Sequence, residues 1–143
     1  MTEEQPSINS VDIVHAFWNE VWNAHDPAAV DRFVVEDFVI INAGNEIRGR
    51  ENFKSWISGF LETVTDLRLE VAESFQNHDG SRVASRWQIT GKNNGILGTT
   101  PDQSELHFTG TAVWAVRADG KLLCNWVERA TWELYQRLTT APG

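Results

Sequence analysis

Few residues in this chain can hold or move a proton, and their spacing draws attention to Glu128. From Leu122 onward, strict alternation places Leu122, Cys124, Trp126, Glu128 and Ala130 on one face of a strand. Lys121, Leu123, Asn125, Val127 and Arg129 then fall on the other. A carboxylate buried beside a tryptophan and small apolar neighbours has a raised pKa and can keep or deliver a proton. The alternative is a strand-end glutamate that reaches water or pairs with Arg129 or Arg86. On an earlier strand, Trp87 facing inward brings Ile89 alongside it and Asn93 near the strand's end. His107 stands next to Phe108, and strict alternation turns it away from a pocket, toward the surface or an interface. The candidate catalytic set is therefore Glu128, Asn93 and His107. Candidate substrate-binding walls are Trp126, Trp87 and Phe108, with Ala130 beside them.

Other chemistries have no signature. His15, His25, His78 and His107 are scattered, with no HxxxH or HxxEH spacing, so a metal site is not expected. GxGxxG, P-loop and GxSxG motifs are missing, and nothing suggests a bound organic cofactor. Cys124, the single cysteine, sits mid-strand and reads as a packed thiol; it excludes an intrachain disulfide and fits a reducing compartment. Twelve basic against 20 acidic residues give a formal charge of −8, which argues against nucleic acid and anionic membrane surfaces as partners. No apolar run approaches the roughly 18 residues of a membrane span, and the acidic N-terminus lacks the pattern of a signal peptide, so a cytoplasmic location is expected. Seven tryptophans and seven phenylalanines accompany one tyrosine. Such a composition suits a cavity for a flat, apolar ligand, or alternatively a core built from indoles.

The elements that must position these residues follow from the periodicity. Residues 1–143 form one domain, with residues 1–7 a loose tail. Val11, Val14, Phe17, Trp18, Val21 and Trp22 have helical spacing. His25 marks that helix's end, and Asp26-Pro27 opens a second short helix. Phe38–Asn42 reads as a strand, turning at Ala43-Gly44-Asn45 toward a candidate partner at Glu46–Arg48. Phe53, Trp56, Ile57, Phe60, Leu61 and Val64 outline a third helix with a continuous apolar face. Four alternating strands and a short closing helix complete the chain. Tight turns make neighbouring strands antiparallel. The expected fold is α+β: a strongly curved antiparallel sheet wrapped around helices, leaving a conical pocket. The other sheet face, carrying Thr109, Thr111, Val113, Val127 and Thr131, suits packing against a second copy, so a homodimer is expected.

From about Ile8 to Leu138 the chain resembles the SnoaL-like branch of the nuclear-transport-factor-2-like (NTF2-like) superfamily. The segments carrying the likeness are Trp22–Asp26, Glu36-Asp37-Phe38, Arg48–Glu51, Asp66–Leu69 and Val83–Trp87. They continue with Phe108-Thr109-Gly110, Asp119-Gly120-Lys121, Trp126 and Gln136. The resemblance implies an α+β cone and cofactor-free enzymes of aromatic, anthracycline-type polyketide biosynthesis, which close rings by intramolecular aldol condensation. In them an aspartate at the end of the last long strand is the acid/base, helped by histidines lining the pocket. It also implies relatives that take part in hydroxylation. Here Ala130 stands four residues after Trp126, where the aspartate is expected. Ile41, a substrate-binding candidate by this resemblance, and Asn93 stand where histidines are expected. Alanine and isoleucine cannot transfer a proton, and an amide is a poor base.

Three functions follow. The first is a tailoring enzyme that hydroxylates a polycyclic aromatic substrate with O2, the electrons coming from a substrate reduced beforehand by a separate NAD(P)H reductase, with Glu128 as proton donor. The second is an aldol cyclase whose acid/base has moved to Glu128. The third is a protein that binds a hydrophobic ligand without turnover.

Overall fold

The computed structural model describes residues 9–140, so the tail expected at residues 1–7 lies outside the described residues. Helix α1 (Ser10–Phe17) is capped by the Asn9 side chain, which accepts from the Asp12 amide. The helix then widens instead of ending. Trp18–Asn23 is π-helical, and the amides of Ala24 and Asp26 reach back five residues to the carbonyls of Asn19 and Val21. Widened turns of this kind gather at functional sites. Asn23 closes the segment by accepting from the Leu69 amide and donating to the Leu69 carbonyl, as a neighbouring strand would. His25, at φ +53°, contacts the Leu67 carbonyl at 2.8 Å and is the helix-end residue the sequence suggests. Pro27–Arg32 is a 3₁₀ helix where a second short helix is expected.

The sheet contains β1 (Val34–Asn42), β2 (Asn45–Arg48), β3 (Val64–Gln76), β4 (Arg82–Asn93), β5 (Glu105–Val116) and β6 (Leu122–Arg129). Helix α2 (Arg50–Thr63) falls between β2 and β3, and α3 (Thr131–Thr139) follows β6. The strands lie in the order β2-β1-β6-β5-β4-β3, forming one curved, unclosed sheet. Every pairing is antiparallel except β1 with β6, which is parallel. No hairpin joins those two strands, so no turn dictates their relative direction. Helix α1, the π-helical segment and α2 lie against the inner face. Their contact is aromatic: Phe17, Phe38, Phe53 and Trp114 are almost fully buried. The Phe17–Trp114 and Phe38–Phe53 ring centroids are 4.9 and 4.7 Å apart. Among the described residues no helix is long and apolar enough to cross a membrane.

One irregularity decides which side chains face the helices. Ala115 pairs with Cys124 and Val116 with Leu122, so Leu123 is an extra residue with no partner on β5. Such a bulge shifts the alternation by one. Leu122 and Asn125, three positions apart, are consequently both buried. Cys124, Trp126 and Glu128, expected inside, are turned to the outer face.

Candidate functional site

The inner face of β6 presents Asn125, Val127 and Arg129 to a hollow beneath the helices. Ile40, Leu69, Trp87, Ile89 and Ala112 complete its floor from the other strands. Its roof comes from two helical stripes. Trp18 and Trp22 project from the π-helical segment; Phe53, Trp56 and Phe60 follow the apolar period of α2. Trp22 meets Trp56 and Phe60 edge to face, with centroids 5.9 and 5.4 Å apart. The remaining cavity is ≈ 30 Å³. That holds a water or two by the usual threshold of about 10–15 Å³ each. Sites for small organic ligands occupy roughly 300–1,000 Å³. The open conical pocket expected from the sequence is thus largely filled by its own rings in this conformation.

Arg129 is the charged group of the hollow. Its guanidinium carbon lies 4.9 Å from the Phe60 ring centroid and 5.4 Å from that of Trp56. Ring faces attract a cation but accept hydrogen bonds poorly, and the buried Arg129 Nε has no hydrogen-bond partner among the described residues. Burial pushes the guanidinium pKa down to about 10, which leaves it charged at neutral pH. The buried Oδ1 of Asn125 and Nε1 of Trp87 also have no such partner. Trp87, Gly110 and Arg129 occupy one cross-strand row. Gly110 is needed there: a Cβ on it would lie 2.3 Å from Cη2 of Trp87, so the indole reaches across the sheet only because residue 110 has no side chain. The described lining residues include no carboxylate, imidazole or thiol. The hollow can therefore stabilise negative charge on a bound oxygen but offers no ordinary side-chain base.

Most of the sequence-based candidates lie elsewhere. Glu128 is exposed on the outer face, pairing in register with Thr111, and lines an open groove with Arg86 and Gln88. Trp126 is 38% exposed beneath the Arg82 guanidinium. Ala130 lies outside too, its amide bonded to the Thr109 carbonyl at the start of α3. The Leu123 bulge is the common cause. Val127, expected on the outer face, turns inward for the same reason. Ile41 pairs in register with Trp126 and shares its face, while Ile40 takes the inner position. Asn93 is buried, but it organises the loop after β4. It accepts from the amides of Gly95 and Ile96 and donates to Thr99 Oγ1 and the Thr100 carbonyl, so it has no freedom to act on a ligand. His107 is exposed and contacts Gln88 Oε1 at 3.0 Å. Phe108 packs in the core without lining the hollow. Trp87 alone of the eight lines it. Arg129 and Asn125 escape strict alternation. The adjacent apolar pair Leu122-Leu123, which breaks the two-residue period, is the signal that points to them.

Helices laid across the concave face of an open, curved sheet, with an aromatic hollow between, define an NTF2-like α+β cone. The sequence profile of the SnoaL-like domain matches residues 14–124, and the chain belongs to that family. No curated protein matches it in sequence. Solved structures extend the likeness in fold. A provisionally assigned SnoaL-like polyketide cyclase from Jannaschia sp. CCS1 is 16% identical with a TM-score of 0.84, covering 99% of each chain. AclR from Streptomyces galilaeus, provisionally assigned as a hydroxylase, is 24% identical with a TM-score of 0.73, covering 92% of this chain and 93% of its own. An LEH-like epoxide hydrolase from M. tuberculosis is 18% identical with a TM-score of 0.72, covering 95% and 89%.

Proposed function

We propose that this protein is an enzyme that tailors polycyclic aromatic polyketides of the anthracycline type, hydroxylating a quinol form of the substrate with O2. The observation that carries the reading is an aromatic-walled hollow with a largely buried cation and no ordinary proton carrier among its described lining residues. Such a site favours a reaction in which the substrate's own ionised oxygen supplies the reactivity and the protein supplies orientation, dryness and a counter-charge. The step balances without a bound cofactor: a quinol and O2 give a hydroxyquinone and water. A separate NAD(P)H reductase makes the quinol by passing a hydride to the quinone, which takes one proton from solvent as NAD(P)+ is released. AclR's provisional hydroxylase assignment supports the reaction, and the polyketide-cyclase assignments of other structures of this fold support the substrate class. Aldol closure through Glu128 is not retained, because that carboxylate lies on the opposite face of the sheet from the hollow.

A substrate of several rings needs the roof residues Trp18, Trp22, Trp56 and Phe60 to move apart. The proposal also includes a homodimer through the outer face. There Phe75, Ala84, Val113, Trp126 and Ile41 form one apolar row across five strands, and Phe75 is 62% exposed. A monomeric mass in sedimentation at micromolar concentration removes that part.

The main test supplies a polycyclic quinone, a quinone reductase, NAD(P)H and ¹⁸O2, with and without the protein. The expected product carries one labelled oxygen and forms only with the protein. Labelled product at equal rates in both reactions refutes the hydroxylase. The small cavity favours a second reading, a ligand carrier without turnover. It predicts tryptophan quenching by the quinone and no labelled product.

A further inference from the structure

We infer that the ligand of the hollow binds as an anion: an aromatic compound whose ionised oxygen pairs with Arg129 and whose adjacent hydroxyl donates to Asn125. This rests on reading the hollow as the substrate site and adds the charge and polar pattern of what enters it.

Arg129 has five N–H donors and a full charge to satisfy. Trp56 and Phe60 cover it with ring faces, which offer attraction without a directional acceptor. Among the described residues no carboxylate lines the hollow with it and none forms a salt bridge to it; Glu128 borders an outer groove that Arg129 also reaches, but it is exposed on the opposite face and does not line the hollow. A largely buried arginine without an anionic partner is costly to the fold. It becomes intelligible where a ligand brings the missing charge. The protein as a whole carries −8, so it has no general attraction for anions, and the preference must be local to this one group. Asn125, 5% exposed, offers an acceptor without a partner two inner positions along the same strand. The Trp87 indole N–H, in the same cross-strand row as Arg129, is a further unpaired donor for ligand oxygen. Two donors and one acceptor on an aromatic wall match an ionised oxygen beside a hydroxyl on a fused-ring system. They do not match a hydrocarbon or a cation.

The test uses 1-hydroxy-2-naphthoate and its methyl ester, identical in rings and hydroxyl but different in charge. Binding is read by titration calorimetry and by tryptophan quenching. The acid should bind about 10- to 100-fold tighter than the ester, the usual worth of a hydrogen bond to a charged group. Arg129→Met should abolish the preference, and Arg129→Lys should retain part of it. Circular dichroism on both variants shows that they are folded. Acid affinity should be level through neutral pH, where Arg129 stays charged. Equal binding of acid and ester, or a preference that survives Arg129→Met, overturns the anion assignment and leaves the hollow standing as a site. Binding of neither compound overturns both readings.

Discussion

Strand β6 carries two chemistries on its two sides. Inward, Asn125, Val127 and Arg129 meet indole and phenyl rings, and buried polar atoms of Asn125 and Arg129 lack partners. Outward, Trp126 and Glu128 are exposed to water, and nearby Arg86 is paired with Glu73 at 2.6 Å. Both sides contain a cation near a tryptophan, but only the inner one is largely removed from solvent. The contrast shows that burial, not residue type, makes a site of this strand: the carboxylate with the more familiar catalytic chemistry lies in water, and the arginine occupies the hollow.

The sharpest way to break the contrast is to insert one alanine after Cys124, beyond the bulge. If β6 slid by one residue to absorb it, Glu128 would sit under Phe60 and Arg129 in water. That outcome costs more than about 4 kcal/mol, the range reserved for buried unpaired charge and broken packing. Deleting Leu123, which has no partner on β5, leaves every other β5–β6 pair in register and should cost far less. The expected result is loss of the cooperative thermal transition in the insertion variant alone. An insertion variant that melts near the wild-type temperature means that register does not hold the two faces apart.

Second in size is the effect on turnover. With the quinol assay, Arg129→Met should lower kcat roughly 10²–10³-fold, as loss of an oxyanion-stabilising donor does. Glu128→Gln should leave kcat unchanged. The reverse ranking would return the chemistry to the outer face. Stability should move the other way, because removing an unpaired buried charge relieves the fold. Arg129→Met should therefore melt higher than wild type.

Third comes the floor of the hollow. Gly110→Ala drives a methyl group into the Trp87 indole and should cost about 1–3 kcal/mol, as overpacking usually does. At roughly 2–4 °C per kcal/mol for a chain of this size, the melting temperature falls measurably. Trp87→Leu removes the obstruction. The double variant should be less destabilised than the sum of the singles, whereas simple additivity would mean that Gly110 matters only for its backbone.

The fold was legible in the sequence wherever one rule held over many residues. Phe53, Trp56, Ile57 and Phe60 keep a helical period through α2, and Val83, Trp87 and Ile89 keep a strand period through β4; each lies on the predicted side. The site was less legible because one residue changes its parity. Counting from Leu122 in strict twos fails at Leu123, and Trp126, Glu128 and Ala130 are all misplaced together. Asn93 shows a different limit. Its burial follows from alternation, but its role depends on a loop whose fold brings Gly95, Ile96, Thr99 and Thr100 around one amide. The parallel pairing of β1 with β6 was hidden for a similar reason, since no local turn encodes it.

The smallest predicted effect compares like with like. Arg82 stands 5.7 Å from the Trp126 ring centroid on the outer face, and Arg129 stands 4.9 Å from that of Phe60 on the inner one. Water solvates Arg82 whether or not the ring is present, so Arg82→Ala should destabilise by only about 0.5–1 kcal/mol, the worth of an exposed cation–π pair. Its sign is opposite to that expected of Arg129→Met, where relief from desolvation outweighs the attraction of the rings. Thermal melts of the two single variants under one buffer therefore test the difference directly. A lower melting temperature for both would mean that Arg129 is held for stability and that the rings over it are sufficient partners.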